Sequence, residues 1–274
     1  MRDAKFQGTT MALIHHIAQG DGAPPIVFVH GLACAHDDWD AQVAHLSPRH
    51  RTIAVDLRGH GATTATADEC TIERYGADIV AVIESLALPP AVMVGHSMGC
   101  RAVIEAAVQA PARVAGIVLV DGSQFAAEMA DTLKQAFATP DGLTPLLGRW
   151  FRDMFTAKSD PAVVASVVER AQRMPRAIGE SLLLDLVRHD AARLTASLAS
   201  LRAPVLAVQT TFANEKRERR SLGKGQTTPF LDMLRARIPT IRVEVIADTG
   251  HFPQIDEAAQ VNALLDSFIA SLPT

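Results

Sequence analysis

The feature that most constrains this chain is a series of short, continuous apolar runs rich in β-branched residues, separated by longer segments of helical period. Ile26-Val27-Phe28-Val29, Thr52-Ile53-Ala54-Val55, Ala91-Val92-Met93-Val94, Gly116-Ile117-Val118-Leu119-Val120, Val205-Leu206-Ala207-Val208 and Arg242-Val243-Glu244-Val245-Ile246 make up the series. Runs that do not alternate with polar residues predict strands covered on both faces, as in a parallel sheet. The intervening periodicity predicts helices over 78–86, 98–110 and 255–272. Pro89-Pro90 and Pro111 stop the first two. Strand–helix alternation is the signature of an α/β sheet with helices on both faces.

The rhythm breaks between Asp121 and Pro204, where no strand run occurs but Phe125, Met129, Phe137, Trp150, Phe151, Met154 and Phe155 cluster before Leu182-Leu183-Leu184. That interval is too long for a loop. It predicts a helical cap over 123–202, inserted between core segments 1–122 and 203–274.

Bulk properties exclude several classes. The formal net charge is −4, with no basic stripe of the kind nucleic-acid binders carry. The mixed stretch Lys216 to Arg220 reads as a solvated loop or helix face, and the polar excursion from Gln209 to Pro229 as a surface loop rather than a gate. No uncharged apolar run approaches the roughly 18 residues of a membrane span, so no membrane insertion is expected. The N-terminus carries no export signal pattern. Cys34, Cys70 and Cys100 are odd in number and show no metal spacing, which fits reduced thiols. A cytoplasmic protein with no metal and no cofactor is expected; the oligomeric state is not encoded in any motif.

Gly95-His96-Ser97-Met98-Gly99 carries the chemistry. It matches G-x-S-x-G directly between a predicted strand and a predicted helix, where a strained turn presents the serine hydroxyl. Small residues suit the close approach of strand and helix, and the helix N-terminus favours a developing oxyanion. Ser97 is therefore the candidate nucleophile.

The chain resembles the α/β-hydrolase family. His30-Gly31-Leu32 followed by Trp39 resembles the family's oxyanion loop, Asp56-Leu57-Arg58-Gly59-His60-Gly61 its structural turn, and Gly250-His251-Phe252-Pro253 the loop that carries the catalytic histidine. The order and spacing of these motifs around Ser97 make the set specific. The resemblance implies a mostly parallel eight-stranded sheet with the helical cap inserted after the sixth strand. It also implies His251 as general base and the backbone amides of Leu32 and Met98 as the oxyanion hole. His30, His96, Arg58 and His60 are read as packing and orienting residues.

The acid departs from the family pattern. The usual position after the seventh strand falls near Ala213, which cannot serve. Asp121, at the end of the sixth strand, is the favoured acid; Glu215 is the alternative, and Asp248 a third candidate in the histidine's own loop. A serine elbow argues against the aspartate-nucleophile branches, the haloalkane dehalogenases and epoxide hydrolases. The implied reaction is hydrolysis of a carboxylic ester or lactone through an acyl-enzyme, on a small uncharged or partly apolar substrate such as an acyl-homoserine lactone. A C–C bond hydrolase of a ring-cleavage product, a weakly catalytic small-molecule receptor and a cofactor-free lyase or oxygenase remain open on the same fold. Met129, Trp150, Met154 and Phe155 are candidates for the pocket wall.

Overall fold

A computed structural model describes residues 13–214 and 218–273. In chain order the elements open with strands β1 (His16–Gln19) and β2 (Ile26–Val29), helix α1 (Asp40–Leu46), β3 (Thr52–Val55), α2 (Ile72–Ser85) and β4 (Ala91–His96). They continue through α3 (Met98–Gln109), β5 (Val114–Val120) and five helices, α4 (Met129–Phe137), α5 (Leu143–Asp153), α6 (Pro161–Gln172), α7 (Arg176–His189) and α8 (Thr195–Ser200). The chain then returns through β6 (Val205–Gln209), the short pair β7 (Thr211–Ala213) and β8 (Arg219–Ser221), α9 (Pro229–Arg237), β9 (Arg242–Val245), α10 (Pro253–Asp256) and α11 (Ala258–Ala270).

The main sheet runs β1-β3-β2-β4-β5-β6-β9, with β1 antiparallel to β3 and every other pair parallel. It has seven strands among the described residues rather than eight, so the helical segment follows its fifth strand, not its sixth. Strands β2 to β4 and β6 are buried along their whole length. The apolar core lies on both faces: one layer of Val27, Val29, Met93, Ile117 and Leu119 packs with α2 and α3. The other, of Phe28, Val92, Val94, Val118 and Leu206, packs with Trp39, Val261 and Phe268. No helix among the described residues is long and apolar enough to cross a membrane. All three cysteines are free and buried.

Helix α2 begins at Ile72, six residues before the expected start, with Thr71 capping it by accepting from the Arg74 amide. The expected single C-terminal helix is two, because Glu257 leaves helical geometry (φ −129°) between α10 and α11.

A buried polar network ties the helical segment to α3. The Arg101 guanidinium donates to Asp190 (2.7 and 2.5 Å) and to the Ser123 carbonyl (2.8 Å). Glu105 accepts from His189 (2.9 Å), from Arg193 (3.1 Å) and from the Ser197 hydroxyl (3.1 Å). Asp190 opens a π-helical turn, Asp190–Leu194, that bridges α7 to α8.

Candidate active site

Parallel strands deliver the site residues to one edge of the sheet. Ser97 follows β4 and Asp121 follows β5; the two strands are neighbours, in register from Val92↔Gly116 to His96↔Val120. The Ser97 amide donates to the Val120 carbonyl (2.9 Å) and the Asp121 amide to the Val208 carbonyl (2.8 Å), which anchors both turns. Loops beyond the carboxyl ends of such strands are where α/β folds assemble sites.

The elbow is strained as its motif predicts. Ser97 has φ 53°, a left-handed value that side chains rarely adopt. The glycines around it have no room for a side chain. A Cβ on Gly95 would lie 2.4 Å from the Gly99 carbonyl oxygen, and one on Gly99 2.4 Å from the Val29 oxygen. Met98 opens α3, so its amide is among the first-turn N–H groups that no helical carbonyl reaches. Leu32 lines the same cavity.

A continuous relay runs from the serine inward. The Ser97 hydroxyl lies 2.9 Å from His251 Nε2, and His251 Nδ1 lies 2.5 Å from Asp121 Oδ2. Asp121 also has positive φ (43°) and is fully buried. Its Oδ1 accepts from Gln209 Nε2 (2.9 Å) and from the amides of Thr210 and Thr211 (2.8 Å each), and its Oδ2 from the Thr211 hydroxyl (2.5 Å). Burial pushes the Asp121 carboxyl up, but the hydrogen bond and charge of His251, with Arg219 and Thr211 behind them, more than reverse this and hold it at about 2. Burial and then the Arg219 charge push His251 down to about 4, against the pull of Asp121.

Among the described residues, Asp121 is the acid candidate that reaches the imidazole. Glu215 lies outside the described residues. The Asp248 backbone is held in the loop, its amide donating to the Leu222 carbonyl and its carbonyl accepting from Lys158.

The orienting histidines contact the site from behind. His30 Nδ1–H donates to the Gly31 carbonyl (2.7 Å), and its Nε2 accepts from the Leu57 amide (3.0 Å), which pins the Gly31-Leu32 loop. Burial keeps His30 neutral, at about 3. His96 Nε2–H donates to the His251 carbonyl (2.7 Å), with ring centroids 4.7 Å apart. Arg58 pairs with Asp78 (2.7 and 2.9 Å), and His60 donates to the Arg58 carbonyl (3.0 Å), so both stay in the scaffold.

The sequence reading is corrected at Arg219. The stretch taken for a solvated face contains β8, paired antiparallel with β7. Alternation along a strand turns Arg219 inward and Arg220 outward, where Arg220 pairs with Glu218 (2.5 Å). Arg219 Nη1 donates to the Thr211 hydroxyl (2.6 Å) and lies 3.1 Å from His251 Nδ1 and 3.5 Å from Asp121 Oδ2. The excursion read as surface therefore places a cation at the relay. Lys216 and Arg217 lie outside the described residues.

A cavity of about 490 Å³ opens above Ser97, and its wall includes Met129, Trp150, Met154 and Phe212. Phe155, the fourth aromatic or thioether candidate, instead stacks on Phe252 (4.9 Å, 8°). The helical segment meets the histidine loop where the His251 amide donates to the Met154 carbonyl (2.7 Å). Among the described residues, His15, His36 and Asp56 are the one group with metal-ligand spacing, and the Asp56 carboxylate there accepts from the amides of His36 and Ala62.

Known proteins are similar to this chain at family level. The chain is 24% identical over 271 residues to 3-oxoadipate enol-lactonase 1 of Acinetobacter baylyi, covering 97% of this chain and 95% of that protein. Other matches are partial. A non-heme chloroperoxidase of Burkholderia pyrrocinia is 46% identical over 78 residues, 28% of each protein. The dihydrolipoyllysine-residue acetyltransferase component of the acetoin cleaving system of Pseudomonas putida is 26% identical over 261 residues, of which the match spans 64% of its length. Among solved structures, Est816, titled as an N-acyl homoserine lactone degrading enzyme, superposes with a TM-score of 0.76 at 23% identity over 93% of this chain and 96% of that one. The enol-lactonase of Burkholderia xenovorans LB400 does so with 0.78 at 22%, over 94% and 96%. A family model matches residues 26–264, nearly the whole of the described sheet and its helices, and on that match the chain belongs to the alpha/beta hydrolase family.

Proposed function

We propose that the chain is a cytoplasmic serine hydrolase that cleaves a small carboxylic ester or lactone, uncharged or partly apolar, through an acyl-enzyme. The observation that carries this reading is the unbroken relay from Ser97 Oγ through His251 to Asp121, with links of 2.9 and 2.5 Å, at the floor of an apolar cavity. Ser97 Oγ attacks the carbonyl carbon while its proton passes to His251 Nε2. The carbonyl oxygen takes up negative charge against the Leu32 and Met98 amides. The imidazolium, opposed by ionised Asp121, returns the proton to the leaving alkoxide as the C–O bond breaks. Water then attacks the acyl carbon and gives a proton to His251, which passes it to Ser97 Oγ as the acyl–serine bond breaks and the acid leaves. Residues 123–202 act as the cap that shapes the substrate cavity over core segments 1–122 and 203–274. Esterase and lactonase activities named for similar proteins agree in reaction type.

The test pairs a fluorophosphonate probe with a panel of p-nitrophenyl esters and lactones. Labelling at Ser97, turnover of panel members and loss of both in Ser97→Ala are the expected results. Labelling without turnover of any ester or lactone moves the chemistry to the C–C bond hydrolases. No labelling at all moves it to a receptor or a lyase.

A further inference from the structure

We propose that Arg219 is a positioning residue for this relay: its guanidinium, delivered by the β7–β8 hairpin, keeps Asp121 ionised and the His251 imidazole unprotonated in acidic solution. The inference rests on the hydrolase reading for its consequence in catalysis, but not for its test.

The geometry restricts what Arg219 can be doing. A separation of 2.5 Å between His251 Nδ1 and Asp121 Oδ2 requires a proton between them. Nδ1 therefore has no lone pair to offer Arg219 Nη1, 3.1 Å away. The guanidinium acts there as a charge, held by its hydrogen bond to the Thr211 hydroxyl (2.6 Å), which in turn donates to Asp121 Oδ2. A cation next to an imidazole opposes its protonation, and a cation next to a carboxylate opposes protonation of that group too. The Arg219 side chain is 20% exposed and Asp121 is fully buried, so little solvent screens the pair.

Other ionisable groups lie around the site. His96, at the end of β4, packs against His251 with the rings tilted by 49° and uses Nε2–H on the His251 carbonyl. Asp256, behind Gly250, accepts from the Ser159 hydroxyl (2.7 Å). Arg101 across the cavity is paired with Asp190, and Asp153 lines the outer wall. Arg219 and Asp121 are thus the two charges set against the imidazole nitrogen, with opposite effects. The direction in which His251 is displaced, downward by burial and by Arg219, agrees with that geometry.

The experiment follows the His251 imidazole by 1H–15N NMR across pH in the free protein, beside the acid limb of kcat/KM on a p-nitrophenyl ester. Wild type is compared with Arg219→Met, Arg219→Gln and Arg219→Lys. In Met and Gln variants that keep the native circular dichroism spectrum, His251 should titrate higher by about one pH unit or more. The acid limb should move with it. Lys should restore most of the wild-type value. A titration unchanged within about 0.3 units in both neutral variants, or a Lys variant displaced as far as Met, would overturn the proposal. The NMR arm needs no substrate, so failure of ester turnover counts against the hydrolase reading alone.

Discussion

Replacing Asp121 by Asn tests the relay at its most determined point. The side chain is nearly isosteric, so the question is where the new amide nitrogen goes. At the Oδ1 position it would face three donors, Gln209 Nε2 and the Thr210 and Thr211 amides, two of which are backbone and cannot turn. The nitrogen is therefore forced to the Oδ2 position, opposite His251 Nδ1. From there it donates, and Nδ1 must accept. The imidazole proton moves to Nε2, which then donates to Ser97 Oγ and can no longer take its proton. Arg219 Nη1, 3.1 Å from Nδ1, reinforces the same tautomer. With the carboxylate gone, nothing offsets that cation when the imidazolium forms. A wrong tautomer costs about 10⁴-fold in kcat, or, at about 1.36 kcal/mol per decade, about 5.4 kcal/mol of transition-state stabilisation. Steady-state kinetics on a p-nitrophenyl ester measures the loss, and 15N shifts of His251 identify the tautomer. A loss under about tenfold, with the Nδ1–H tautomer retained, would refute the assignment of Asp121. Glu215→Gln serves as the control and should stay within about threefold of wild type.

Other perturbations follow from the same contacts. Gly95→Ala drives a methyl to 2.4 Å from the Gly99 oxygen and should destabilise the fold by about 3 kcal/mol, read as a lower urea midpoint; an unchanged midpoint would mean that the elbow can open. Arg101→Met leaves Asp190 buried without its cation and should cost about 3–5 kcal/mol, whereas Arg101→Met with Asp190→Leu should recover most of it. His30, His60 and His251 are held near 3, 4 and 4 against an unfolded value of 6.5, so the unfolded chain binds more protons in that window. Stability should therefore fall as pH drops from 6.5 toward 4. Asp38 and Asp78, displaced upward, offset part of the fall, whereas His189, raised above 6.5, contributes stability that is already fully present below that value. Asp121, near 2, adds its loss only below its unfolded value of 3.8. A urea midpoint at pH 4.5 equal to or above that at pH 7 would contradict this.

The parallel strands were legible because they are buried on both faces and so read as unbroken apolar runs. β1 was not, since His16-Ile17-Ala18-Gln19 is a half-exposed edge strand with no such run. Helix α2 extends six residues beyond the expected start, through Gly76. In the structure Gly76 marks a close helix crossing: a Cβ there would meet the Glu105 Cβ at 2.8 Å, on α3. Local propensity points one way and packing the other, and packing wins. Three-residue strands such as β7 and β8 carry too little pattern to separate from loop, and the charges of β8 concealed that one of its two arginines is turned inward.

Within the site, Ser97 and His251 were legible because each sits in a motif whose small neighbours are sterically required. Asp121 was legible only by position, at the end of a buried strand next to the elbow. Its supports, Gln209 and Thr211, left no motif, because they act through ordinary hydrogen bonds from the connection after β6. That connection is where the family usually places the acid. With a carboxylate at the end of β5 against His251, Ala213 stands near the usual position of the acid. The hairpin there supplies donors and a cation to the carboxylate at the end of β5: Thr211 from β7, Arg219 from β8. Ala213 pairs with Arg219 across the hairpin, on the face that Thr211 and Arg219 turn toward the relay, so Ala213→Asp added to Asp121→Asn should recover part of the lost kcat; a double variant no faster than Asp121→Asn would show that the carboxylate must stand at the end of β5.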